Sequence, residues 1–460
     1  MSTITPAIFR AYDIRGIVSD DLTPDAVRRI GQSFASESRD QDCTSVVIGR
    51  DGRLHSEQLS QALAAGLQAG GCDVIDVGLV PTPVLYFATH HLQTGTGIMI
   101  TGSHNPPEYN GLKMVMAGKT LYGDDIQKLR QRIEDDQLST GQGDYQQQDV
   151  KPVYIERIVG DVKLDKPLKI AVDCGNGVAA VIATELFSKL GCQVSELFCE
   201  VDGTFPNHHP DPSKLENLED LRNCIRDQSL DLGLAFDGDG DRVGIVDNEL
   251  NIIFPDRQMI LYAEDVLSRN PGAQIIYDIK SSYHLGKAIE DMGGEPLMWK
   301  TGHSLIKAKM KETGALLAGE MSGHIFFKER WYGFDDGLYS AARMLEILSK
   351  KPASAAEVFG KLPDSCNTPE LQIHFKQDGA HYTFMDQFKS QASFDDAVDI
   401  STIDGMRVTW EKGWGLIRPS NTTPCLVLRF EADDEDSLTE VKNKFREQIA
   451  ATDASLSIPF

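Results

Sequence analysis

Residues 237–242 read Asp237-Gly238-Asp239-Gly240-Asp241-Arg242 and follow the apolar run Leu232–Phe236. Three carboxylates at alternate positions converge only if the backbone curls around a common centre, and the two glycines permit that curl. Charges crowded in this way repel unless a hard divalent cation neutralises them. A calcium EF-hand fails on detail, because Arg242 stands where such a loop needs Gly and Asn248 where it needs Glu. Three protein oxygens leave room for a phosphate oxygen and water, which suits Mg²⁺. A solvated acidic turn is the plainer alternative.

Three further segments carry chemistry. Thr101-Gly102-Ser103-His104-Asn105-Pro106 follows the strand-like run Gly97–Ile100. Ser103 is therefore expected on a loop at a strand's carboxyl end, the edge that ligand sites favour in open α/β sheets. Prolines stiffen the loop, His104 offers a base to the hydroxyl, and Lys113 offers a cation. Asn105 replaces the second glycine of the hydrolase Gly-x-Ser-x-Gly elbow, so that reading fails. In Gly319-Glu320-Met321-Ser322-Gly323-His324 a carboxylate and a hydroxyl alternate. On an extended segment both would face one way and could fork two vicinal sugar hydroxyls. Arg418-Pro419-Ser420-Asn421-Thr422-Thr423-Pro424 joins two strand-like runs, and its guanidinium, hydroxyls and amide could nest a phosphate dianion. Taken singly, each of these three is equally an ordinary polar turn.

The elements that must position these loops follow an α/β grammar. A strand at 45–49, a helix at 56–69 and a strand at 72–77 recur as 168–173, 178–190 and 193–194, and again as 274–278, 285–292 and 296–298. A Gly pair or Gly-Cys closes each helix, as a left-handed cap requires. The repeat is threefold, unless βαβ units simply resemble one another. The Gly/Gln/Ser-rich stretch 139–148 reads as a linker, with further breaks near 247–251 and 349–368. The expected domains are 1–148, 149–250, 251–362 and 363–460, the last a small α+β module with strands at 405–410, 414–418 and 425–430 and a helix at 437–450.

The 460 residues leave room for several cores, and a formal charge of −24 argues against a nucleic-acid partner. An anionic ligand would need a locally basic cleft, for which Arg10, Arg15, Lys280 and Lys300 are available. The eight cysteines are scattered without a Cys-x-x-Cys pair, as expected of reduced thiols. The first residues lack a basic and apolar leader, and no run approaches the ~20 apolar residues of a membrane span. A cytoplasmic protein without a membrane partner is expected.

Together the four loops closely resemble, in order and spacing, those of the α-D-phosphohexomutase superfamily, over essentially the whole chain. Glu-Met-Ser-Gly-His, the opening Phe9-Arg10-Ala11-Tyr12-Asp13-Ile14-Arg15-Gly16 and Trp299-Lys300-Thr301-Gly302-His303 resemble its bacterial phosphomannomutase/phosphoglucomutase group. Phosphoglucosamine mutases usually carry Glu-Gln-Ser-Gly-His. The resemblance implies four domains around a central cleft, three topologically similar α/β domains and a TATA-binding-protein-like α+β domain. By position, Ser103 would bear phosphate and share one Mg²⁺ with Asp237, Asp239 and Asp241. Glu320 and Ser322 would hold sugar O3 and O4, while Arg418, Ser420, Asn421 and Thr422 would grip the phosphate not transferred. Tyr12, Arg242, Lys280, Thr301, Gly302 and His303 would complete the sugar path. Arg15 and Lys113 would steady the transferring oxygens, with His104 beside Ser103. The base is open between His324 and the Arg15/Lys113 region. The implied activity is reversible conversion of mannose or glucose 1-phosphate and 6-phosphate by a monomer, through glucose 1,6-bisphosphate in the glucose case. A phosphoglucosamine mutase, a metal-dependent sugar phosphatase and a non-catalytic sugar-phosphate sensor are the rivals.

Overall fold

In three successive stretches of chain the same four-stranded unit is built. The first has Ser45–Arg50 at its centre, parallel to Asp73–Leu79 on one side and Gly97–Ile100 on the other, with Tyr109–Met116 returning antiparallel beside Gly97–Ile100. The second repeats this with Lys169–Asp173 between Gln193–Leu197 and Leu232–Phe236, and Val243–Asp247 returning. The third uses Gln274–Asp278 between Glu295–Trp299 and Leu317–Gly319, and Ile325–Phe327 returns. This structure, a computed structural model, describes residues 4–377, 379–421 and 423–460.

The pattern of burial explains the elements. Gly97–Ile100 and Leu232–Phe236 are buried along their whole length, as strands covered by helices on both faces must be. The helices Ser56–Ala69, Ala183–Lys189 and Tyr283–Asp291 end at Gly71, Gly191 and Gly293, whose φ angles of 89°, 98° and 78° are the expected left-handed caps. The stretch 139–148 differs from the expected linker, because Tyr145–Gln147 pairs in parallel with Asp73–Leu79 and extends the first sheet. The turn at 247–251 is likewise internal: Asp247 leads into Ile252–Ile253, which pairs back onto Val243–Asp247.

The fourth sheet is antiparallel, with Cys425–Ala432 paired to Gly413–Pro419 and that strand to Met406–Trp410. Alternation along Cys425–Ala432 turns Leu428 and Phe430 toward Phe388 and Phe445 of the helices Ala380–Gln391 and Glu435–Thr452, which cover one face. Arg429 and Glu431 point the other way, where they meet Asp256 and Ser282 of the third domain.

Two packing devices hold the domains in place. Phe87, Tyr154, Trp331 and Tyr339 form an aromatic hub that makes one continuous core of the first three domains. The fourth domain docks through fully buried Trp414, packed with Leu416 against Ile279. Arg407 lies 3.7 Å over the Trp414 ring and donates to the Ile279 and Ser281 carbonyls. Trp414→Ala should therefore cost about 3–5 kcal/mol, read as a lowered urea midpoint by far-UV circular dichroism. A loss below about 1 kcal/mol would show that this ring does not anchor the domain.

Candidate active site

Each of the three candidate loops is the same connection in its own unit: the link from the third parallel strand to the antiparallel return. Residues 101–108 follow Gly97–Ile100, 237–242 follow Leu232–Phe236, and 320–324 follow Leu317–Gly319. Residues 420–424 link Gly413–Pro419 to Cys425–Ala432, so the fourth loop is also a hairpin connection. All four meet at one cleft of about 980 Å³.

Behind the lining residues Ser103, Lys113 and Arg242, Asp237, Asp239 and Asp241 are fully buried and offer carboxylate oxygens within 4.8 Å of one another. The Ser103 hydroxyl donates to Asp237 Oδ2 at 3.1 Å and lies 3.1 Å from His104 Nδ1. This contact joins two domains, and the glycines make it possible. A Cβ on Gly238 would stand 2.2 Å from the Ser103 carbonyl oxygen, and Gly240 carries a φ of 75°.

The charges are unevenly compensated. Lys113 Nζ reaches Asp239 Oδ2 at 2.7 Å and Asp241 Oδ2 at 2.5 Å, while Arg242 Nε lies 3.7 Å from Asp237. Asp239 Oδ1 and Asp241 Oδ1 are buried and accept no hydrogen bond from the described residues, although His324 Nδ1 stands 3.6 Å from Asp241 Oδ1. Burial, then repulsion from Asp241 and Asp239, pushes the Asp237 carboxyl well above its usual range. Burial opposes ionisation of Asp239 too, yet Lys113 and Thr82 hold it well below the usual range. Burial likewise opposes the Lys113 charge, but the two aspartates raise its pKa. Orphaned acceptors among crowded carboxylates are what a hard divalent cation would satisfy, so the donor set fits Mg²⁺.

Cations outnumber carboxylates along the cleft wall, which answers the objection raised by the net charge. Several are already paired across domains or loops. Lys280 meets Glu370 at 2.5 Å, Arg418 Nε meets Asp404 at 3.0 Å, and Arg15 meets Asp13 at 2.5 Å while donating to the Gly102 carbonyl. Tyr12 donates to the Thr301 carbonyl at 3.1 Å and accepts from Asn421, which ties the first, third and fourth domains together across the opening.

Profiles of the phosphoglucomutase/phosphomannomutase alpha/beta/alpha domains I, II and III match residues 6–140, 152–250 and 254–366, and that of its C-terminal domain matches 352–448. The chain belongs to the phosphoglucomutase/phosphomannomutase family. It is 55% identical to the phosphomannomutase/phosphoglucomutase of Pseudomonas aeruginosa, over 100% of this chain and 98% of that protein. It is 51% identical to the phosphoglucomutase of Neisseria gonorrhoeae, over 97% of each. The crystal structure of a phosphoglucomutase/phosphomannomutase family protein from Burkholderia thailandensis superposes with a TM-score of 0.95 at 52% identity, covering 99% of this chain and 100% of that one.

In this family member the cleft gathers the expected residues, with differences. Tyr12, Arg15, Ser103, His104, Lys113, Arg242, Lys280, Thr301, Gly302, His303, Glu320, Ser322, His324, Arg418, Ser420 and Asn421 all line it. Thr422 lies outside the described residues. Lys300 is exposed and does not line the cleft. Glu320 and Ser322 do not share an extended segment. They sit in a tight turn closed by Gly323 N–H on the Glu320 carbonyl at 3.0 Å, because the short strands on either side form a hairpin. The Glu320 carboxylate accepts the Gly302 N–H at 2.5 Å, and burial raises its pKa.

Buried Asp335 is the main participant that sequence reasoning missed. It lies 3.1 Å from His324 Nδ1 and 2.8 Å from Lys307 Nζ, while Arg242 Nε donates to His324 Nε2 at 3.0 Å. Its signal was the pair Asp335-Asp336, of which Asp336 alone serves as helix cap, accepting the Tyr339 N–H at 2.9 Å. Burial, with Arg242 and Arg15 nearby, holds His104 well below its usual pKa and therefore neutral.

Gly238→Ala should separate the aspartate and serine loops and lower kcat by about tenfold or more, with circular dichroism unchanged. Wild-type turnover in that variant would show that the close approach is dispensable.

Proposed function

We propose that this chain interconverts the 1- and 6-phosphates of glucose and mannose, with Ser103 as the carrier of the phosphoryl group. The observation that carries this reading is the Ser103 hydroxyl 3.1 Å from Asp237, inside a cleft whose other walls present Glu320, Ser322 and Arg418. A phosphatase passing phosphate to water has no use for those distant walls. Half-identity to proteins named phosphomannomutase/phosphoglucomutase and phosphoglucomutase along the full chain supports the same reaction.

Phosphorylated Ser103 gives its phosphoryl group in line to the free hydroxyl of the bound sugar phosphate. The resulting 1,6-bisphosphate turns around and returns its other phosphoryl group to Ser103, so the enzyme ends as it began. Asp237, Asp239 and Asp241, with a phosphate oxygen on Ser103, would hold Mg²⁺, which supplies neutralising charge for the transferring oxygens. Arg15 and Lys113 add fixed positive charge on the same side. Lys113, held charged by two aspartates, cannot accept the hydroxyl proton. We assign that proton to His324 Nε2, which must first lose the Arg242 N–H it accepts at 3.0 Å, while Nδ1 stands 3.1 Å from the Asp335 carboxylate. Arg418, Ser420 and Asn421 grip the phosphate at the far end, and a ligand oxygen takes over the hydrogen bond that Arg418 donates to Asp404. A fork from Glu320 and Ser322 to O3 and O4 ignores C2, where mannose and glucose differ.

Every wall of the cleft comes from one chain, so a monomer suffices. No helix among the described residues is long and apolar enough to cross a membrane. Reduced thiols suit the cytoplasm, where we place the enzyme.

Intact mass should show one phosphoryl group on the wild type, located at Ser103 by peptide mapping. Ser103→Ala should lower kcat with glucose 1-phosphate by about 1000-fold or more, and kcat/KM for mannose and glucose 1-phosphates should agree within about tenfold. Turnover at the wild-type rate without phosphoserine would end this reading, and a strong preference for glucosamine 1-phosphate would move the substrate to the amino sugar.

A further inference from the structure

Behind the Ser103 loop lies a guanidinium that no substrate reaches. Arg53 is 3% exposed and does not line the cleft. Its Nη1 donates to the carbonyl oxygens of Pro106 at 2.6 Å and Tyr109 at 3.0 Å. Its Nη2 donates to those of Ser103 at 2.9 Å and Asn105 at 2.5 Å. One fork thus collects three carbonyls of the loop and that of the first residue of the strand after it. Asp51 seats that fork. Its Oδ2 lies 3.3 Å from Arg53 Nε and accepts the Gly102 N–H at 3.0 Å, and its Oδ1 accepts the Arg53 N–H at 3.1 Å. Phe205 of the second domain closes the far side, its ring centroid 5.2 Å from the guanidinium carbon.

The loop that is gripped holds an unfavourable shape. Ser103 has a φ of 48°, in the left-handed region that a serine seldom enters without outside support. That shape turns the carbonyl inward to Arg53 and the hydroxyl outward to Asp237. Carbonyls converging in this way repel one another in the absence of a shared donor. Only a rigid planar fork serves several of them in fixed directions, and an ammonium group cannot reproduce it.

We propose that Arg53, seated on Asp51, is a positioning residue for phosphoryl transfer, holding the Ser103 loop in the turn that aims its hydroxyl at Asp237. This rests on Ser103 being the phosphoryl carrier. Arg53 acts through the backbone alone and touches neither the sugar nor the reacting atoms. Its loss displaces the nucleophile without disturbing the walls that bind substrate, so the effect falls on the transfer step.

Arg53→Lys keeps the charge and removes the fork. Dephosphorylated wild type and variant are mixed with glucose 1,6-bisphosphate, and Ser103 phosphorylation is followed by intact mass. The variant should be phosphorylated about 100-fold more slowly, while the Kd of the dephosphorylated protein for glucose 1-phosphate stays within about twofold of wild type. A phosphorylation rate within about threefold of wild type, or a loss carried equally by Kd, overturns the proposal. A wild type that takes up no phosphate at Ser103 overturns the underlying reading instead. If Arg53→Lys does not fold, Asp51→Asn, which weakens the seat while keeping its shape, is put through the same comparison under the same criteria.

Discussion

Three carboxylates held together out of water beneath a serine hydroxyl from another domain are a standing electrostatic cost. Two of their oxygens accept no hydrogen bond among the described residues, and Lys113 and Arg242 offset the charge only in part. Such a cluster survives because the scaffold around it is over-determined. The aromatic hub of Phe87, Tyr154 and Trp331 makes the first three domains one packed body, so the serine loop cannot drift away from the aspartates. Stability invested in the core is what permits unfavourable charge at the site.

One connection has been put to three uses. At the same topological place in three sheets stand a serine loop, a carboxylate cage and a carboxylate-hydroxyl turn. Because each lies at the carboxyl end of the third parallel strand of its unit, grouping the three sheets around a common space brings the loops face to face. The fourth domain supplies the remaining wall, and Tyr12 with Asn421 spans the opening between first and last domains. The cleft's cations are held in reserve by Glu370, Asp404 and Asp13, so a strongly acidic protein still presents a surface suited to a phosphorylated sugar.

Much of this was legible in the chain. The strands Gly97–Ile100 and Gln274–Asp278 coincide with their expected bounds, because apolar runs there are cut off by polar residues that must leave the sheet. Tyr145–Gln147 was not legible: all of its residues are exposed, and only pairing with Asp73–Leu79 makes it a strand. The four loops stood out through composition, but their partners did not. Glu370 is a lone acid whose meaning comes from Lys280, far back in the sequence, and Asp404 one that meets Arg418 only because the strands Met406–Trp410 and Gly413–Pro419 pair. Arg53 sits in an Asp-Gly-Arg turn with no local mark of its role, since its four acceptors belong to backbone some fifty residues away. For Glu320 and Ser322 the sequence leaves an extended segment and a polar turn both open, and the short hairpin strands on either side decide for the turn.

Phosphorus NMR of the phosphorylated protein loaded with Mn²⁺ in place of Mg²⁺ examines the proximity on which all of this depends. The phosphoserine resonance should broaden beyond detection in the wild type and return in Asp239→Asn at the same Mn²⁺ concentration. A sharp resonance in the Mn²⁺-loaded wild type would put the phosphate away from the three carboxylates, and the site described here would be wrong.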